Sequence, residues 1–254
     1  LEYRKIKRSA MISILKKEFN SFFSSLTGYM VVVVFLLLNG LFLWVFPGSF
    51  NLLDAGYAGL DGLFFLAPWV FLFLIPALTM RFFADEFKTG TIELILTKPI
   101  SELNLVLGKF LAGLSLCLIA LSPTLIYLAS IYFLGQPVGN LDWGATIGSY
   151  IGLVLLAGIY VSIGIFASSL TENQIVSFIL ALFFCFFCFA GFEQIATLLS
   201  HTGFELSIDK LGISYHYNAI SRGVIDTRDI LYFISVMSLF IYGSKLSLQS
   251  RKWS

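Results

Sequence analysis

Six stretches of this chain are apolar almost without interruption, and the charges gather between them. The runs cover about 28–47, 62–80, 111–134, 145–168, 175–192 and 230–248. Each approaches the ~20 residues that an α-helix needs to cross ~30 Å of hydrocarbon at ~1.5 Å per residue. None holds Asp, Glu, Lys or Arg before the last, where Lys245 can snorkel to an interface. The two-residue alternation of a membrane β-barrel is absent. Backbone groups in lipid must satisfy one another, so the pattern predicts an all-α membrane protein of six transmembrane helices.

Residues 11–26 follow a different rule. Met11, Ile12, Leu15, Phe19, Phe22, Phe23 and Leu26 recur at three- and four-residue spacing, while Lys16, Lys17, Asn20, Ser21 and Ser24 take the other face. That predicts an amphipathic helix lying in the inner membrane interface, the alternative being a helix docked on protein. Residues 1–10 precede the first Met and read as an upstream extension or cloning residues; 11–254 reads as one transmembrane domain. Segment 193–229 is too broken for a span, interrupted by Glu193, His201, Glu205, Asp209 and Lys210. It predicts short helices at the outer face.

Composition strengthens the membrane reading. Hydrophobic residues make up 58% of the 254, and only 12% are charged, roughly half the usual soluble share. Mean hydropathy is +0.89. A soluble fold of this size has too little interior for that much apolar surface. Soluble enzymes and disordered chains are therefore excluded. The net charge of +1 lacks the basic surface that nucleic acid demands. The three Cys suggest no disulfide framework, and no cleaved signal is evident. With cytoplasmic termini, only Lys210, Arg222 and Arg228 of the 16 basic residues lie outside. That bias predicts N- and C-termini in the cytoplasm. Trp44, Tyr132 and Trp143 then fall near outer span ends, as an aromatic belt would.

Catalytic candidates are weak. His201 and His216 lie in the outer loop and read as surface residues. Cys185 and Cys188 form CxxC inside the fifth span, where a reactive thiolate is disfavoured. No nucleotide-binding GxxxxGK[ST] occurs. The spans carry no mid-membrane charge for ion coupling. Asn39, in the first span, reads as an interhelical hydrogen-bonding group. Pro68, Pro76 and Pro123 predict bends. Gly148 and Gly152 form GxxxG, which serves packing within the chain or dimerisation equally well.

The inner segment 81–109, RFFADEFKTGTIELILTKPISELNLVLGK, mixes charges with apolar residues. Gly90 breaks one helix, Thr91 is a candidate N-cap, and Pro99 stops the next after Lys98. A two-turn amphipathic helix at about 91–98 results. An ordinary connector would be shorter and more polar, so this one reads as a docking element for a soluble partner.

Asp85-Glu86, Gly90-Thr91-Ile92-Glu93-Leu94-Ile95-Leu96, Thr97-Lys98-Pro99-Ile100-Ser101 and Gly108-Lys109 resemble, in that order, the corresponding loop of the ABC-2 permease family. Ser168 to Gln174 resembles the same family. ISILKKEFNSFFSSLTGY, FLLLNGLFLWVF and RGVIDTRDILYF resemble the gliding-motility-associated (Gld-type) permease subunit of Bacteroidetes. The resemblance implies a six-span permease pairing with a second protomer, as a homo- or heterodimer in a bacterial inner membrane. Two separate ABC ATP-binding subunits would bind ATP and Mg, leaving this chain non-catalytic and without cofactor or metal. It implies an exporter linked to gliding motility, with a motility-associated membrane protein as a further partner. Asp85, Glu86, Lys88, Gly90, Thr91, Ile92, Glu93, Leu94, Leu96 and Pro99 would couple to the ATPase. Thr171, Glu172, Asn173 and Gln174 would make a second cytoplasmic contact, though this loop departs from the family in carrying no base. Residues 193–223 would be outer re-entrant elements. The alternatives are a non-transporting anchor of a motility or secretion complex and a gradient-driven carrier.

Overall fold

Each apolar run folds as a helix, since only a closed hydrogen-bond ladder satisfies the backbone away from water. The computed structural model describes residues 2–97, 100–199 and 203–251, and only the backbone of 2–10, 95 and 96. His201, Lys98 and Pro99 lie outside the described residues.

Helix α1 (Glu2–Ser24) precedes the first span, α2 (Leu26–Gly40), which continues through a π-helical turn at Leu41–Val45. The second span is α3 (Asp61–Thr79). Two short helices, α4 (Ala84–Lys88) and α5 (Thr91–Leu96), lead to the third span. That span comprises α6 (Glu102–Leu121), a 3-10 turn at Ser122–Thr124 and α7 (Leu125–Leu134). The fourth is α8 (Trp143–Leu170). The fifth runs through α9 (Gln174–Phe186), a π-turn at Phe187–Gly191 and α10 (Phe192–Leu198). After α11 (Glu205–Asp209) and α12 (Ile213–Ser221), α13 (Thr227–Ser250) is the sixth. Among the described residues, six helices are long and apolar enough to cross a membrane, and there is no strand.

The helices outrun the apolar stretches because hydropathy marks where lipid ends, not where the hydrogen-bond ladder ends. The third span starts at Glu102, where the Ser101 side chain accepts from the Asn104 amide at 3.4 Å, and not at 111. Glu193 continues the fifth span from an exposed helical position. Asp142, Asn173 and Asp226 cap α8, α9 and α13 in the same way. Of the three prolines, Pro123 sits in the 3-10 break, whereas α3 stays helical through Pro68 and Pro76.

Helix α8 is the core of the bundle, packed by α3, α6, α9, α12 and α13. Its small residues allow this. A Cβ at Gly164 would lie 1.9 Å from Thr79 Oγ1, and one at Gly148 would lie 2.5 Å from the Ile220 carbonyl oxygen. Gly152 faces Tyr217. The GxxxG face is thus covered within the chain, by α12. That short helix buries Ile213, Tyr217 and Ile220, and the Tyr217 hydroxyl donates to the Phe64 carbonyl at 2.7 Å.

Three sequence expectations change. His216 is not a free surface residue. Its Nδ1 lies 2.6 Å from Asp229 Oδ1, its Nε2 donates to the Lys210 carbonyl at 2.9 Å, and its ring stacks on Tyr232 at 3.9 Å. It fastens α12 to α13. Asn39 does not bridge helices: Nδ2 donates to Phe35 O of its own helix at 2.8 Å, and Oδ1 is unpartnered. Finally, α1 spans 2–24, not 11–26, and packs along α6 with Phe22 of the expected stripe and Ile14, which lies outside it, buried. Ile14 fits against Gly108, where an added Cβ would lie 2.9 Å from Ile14 Cγ2. Lys16, Lys17, Asn20, Ser21 and Ser24 face outward. Contact with α6 through this glycine-opened groove holds the helix, while Ile12 of the expected stripe stays exposed.

Candidate functional site

The loop between the second and third spans turns sharply after Thr79. Its first helix, α4, has Phe83 at the N-cap, a residue with no side-chain oxygen. The Ser168 hydroxyl of α8 supplies the oxygen instead, accepting from the Phe83 and Ala84 amides at 2.8 and 3.1 Å and donating to the Met80 carbonyl at 3.2 Å. Gly90, at φ +70°, then breaks the chain between α4 and α5, a conformation that L side chains rarely adopt. Thr91 is the first residue of α5 and not its cap, which makes Gly90 the preceding position.

This frame sorts the candidate residues. Ile92 is buried and anchors α5. Lys88, Gly90, Thr91 and Glu93 are exposed, and Leu94 is 68% exposed. The side chain of Leu96 and the whole of Pro99 fall outside the described residues. Glu86 does not belong to the exposed face. It is buried, 2.9 Å from Lys109 Nζ and 3.1 Å from Lys17 Nζ, because a lysine inside the bundle requires counter-charge. Partial burial disfavours charge on Lys17, but the Glu86 and Glu18 carboxylates outweigh it and hold the ammonium above the usual lysine pKa.

The second predicted contact joins the first. Asp85 accepts a hydrogen bond from the Gln174 side chain. Thr171 Oγ1 accepts from the Asn173 amide at 3.1 Å, and Asn173 caps α9 at the Ile175 amide. Glu172 and Asn173 are exposed. The base missing from this loop comes from the far end of the chain. Arg251, just past α13, lies 3.3 Å from Glu172 and donates to the Leu170 carbonyl at 3.1 Å. Its guanidinium also covers the Phe87 ring of α4 at 4.1 Å. Loop 84–94, loop 171–174 and the end of α13 thus form one continuous face.

Sequence reasoning passed over Lys17, Glu18, Lys109, Ser168 and Arg251 as site residues. A signal existed for Glu18, a charge on the same helical stripe as Ile14 and Phe22. None existed for Arg251, whose partners lie some 80 positions away. Among the described residues, no three His, Cys, Asp or Glu side chains gather as metal ligands. Cys117 and Cys185 are buried free thiols.

Six long apolar helices packed around α8, with Lys17, Glu18, Glu86 and Lys109 paired beside the loop that carries α5, describe a multi-span helical membrane protein. The family described as ABC-2 family transporter protein matches residues 12–249, and the chain belongs to that family. Among individually curated proteins, none matches the chain.

Proposed function

We propose that this chain is the membrane-spanning permease subunit of an ATP-driven ABC-2 transporter, with ATP and Mg bound by a separate ATPase subunit. The observation that carries the reading is the exposed edge of α5. Leu94 and Glu93 project from a loop in which Glu86, Asp85 and Ile92 are tied inward. An apolar side chain so exposed outside the spans, on a pinned helix, suits a groove on a soluble partner. Closure of the ATPase would push α5, and α3 and α8 would carry the push into the bundle. A second protomer would cover spans that this chain leaves open: the first and fifth are 28% buried and the sixth 11%. Lys17, Lys88, Lys109 and Arg251 gather at one end, which supports cytoplasmic termini in a bacterial inner membrane. The Gld-type resemblance supports an exporter serving gliding motility, with a motility-associated membrane protein beside it.

The test replaces Glu93 with Ala and Leu94 with Asp in the protein purified from its native membrane. Parent protein should bring down a stoichiometric ATPase subunit, and the variant should lose it at unchanged protein level. Full retention of the subunit and of its activity by the variant would refute the docking assignment. A stable complex that functions with an inactive ATPase would favour the non-transporting anchor.

A further inference from the structure

Four ionisable side chains meet where α1, the docking loop and α6 converge. Lys109 is only 1% exposed, yet its ammonium is fully engaged, 2.8 Å from Glu18, 2.9 Å from Glu86 and 2.7 Å from the Phe82 carbonyl. The faces of Phe83 and Phe82 flank it at 4.9 and 5.7 Å. Lys17 bridges the same two carboxylates at 3.1 and 3.7 Å, so the charges balance. Stability does not require this arrangement. Apolar side chains of equal volume generally serve as well, because ion desolvation offsets the attraction. Ions add fixed geometry: three donors on one nitrogen, one aimed at α1 and two at the docking loop. Lys109 touches α1 through Glu18 and the docking loop through Glu86 and Phe82, from a base on α6.

We propose that Lys109 is a positioning residue that locks α1 to the docking loop, so that the two move as one body when a partner bears on α5. The proposal draws on the permease reading only for the force; the lock stands apart from it.

The experiment measures the distance between spin labels at exposed Lys16 and Thr89, in a Cys188→Ala background in lipid nanodiscs. Lys109→Met alone strands two buried carboxylates and is expected to lower thermal stability. The triple variant Lys109→Met, Glu18→Met, Glu86→Met replaces the buried ions by apolar side chains of similar volume and should regain it. Parent protein should give a single narrow distance. The triple variant, though stable, should give a broad one, an outcome that a purely structural role for the charges would not produce. A narrow distance in the triple variant would overturn the proposal, since packing of Phe22 on Phe82 and Ile14 on Gly108 would then suffice. A third label at exposed Val138 separates the two readings. With the ATPase subunit and ATP, the Lys16 and Thr89 labels should shift together relative to Val138 in the parent and separately in the triple variant. A narrow parent distance with no nucleotide response would sustain the lock and count against the permease.

Discussion

Replacing Ser168 with Ala removes one oxygen and leaves three backbone groups without it. The hydroxyl accepts from two amides at the start of α4 and donates to a carbonyl at the end of the second span, and Ser168 is fully buried. Water cannot replace it without opening the α3–α8 contact. A buried donor left unpaired costs about 1–3 kcal/mol, and the two amides share one acceptor. The gain in helix propensity from Ser to Ala returns only about half a kcal/mol. A net local destabilisation of about 2 kcal/mol follows, which corresponds to roughly 30-fold more frequent opening. Hydrogen exchange on peptides covering 80–90, in nanodiscs, reads this directly. Ser169→Ala is the control, because that hydroxyl bonds only its own helix, at the Phe166 carbonyl. Exchange at 83 and 84 should accelerate in Ser168→Ala and stay at parent level in Ser169→Ala. Equal exchange in both variants would refute the reasoning, and would mean that helix packing alone holds the docking loop.

Two further changes probe the frame. Gly164→Ala places a Cβ against Thr79, and overpacking of about 1–3 kcal/mol should exceed the ~1 kcal/mol that Ala gains in a helix. Adding Thr79→Gly should then raise the unfolding midpoint above that of Gly164→Ala alone; an unchanged midpoint would deny the close crossing. Arg251→Ala should leave global stability almost unchanged, since an exposed pair contributes under ~1 kcal/mol. It should nevertheless raise hydrogen exchange at 170–174. Exchange at the parent rate there would show that Arg251 does not hold the second loop.

The short helix between the second and third spans was legible because its chemistry is local. The break at Gly90 and the stop at Pro99 bound α5 from within the segment itself. The role of Glu86 was not. Along the chain it stands beside Asp85 and Lys88 as one more loop charge. Only the approach of Lys109, 23 positions away, takes it out of solvent. The same holds for Gly148 and Gly152: their spacing announces a close contact without naming the partner, and α12 supplies it from about 70 residues on.

What the sequence by itself determined was the number of spans, the all-helical class and the place of the short helix α5. Each depends on side chains a few residues apart, whose apolar run length or helical period decides the outcome regardless of the rest of the chain. Tertiary structure alone decided which charges face inward, where α1 lies and which glycines meet which helix. Those outcomes come from pairings between distant segments, where burying one charge creates the need for another.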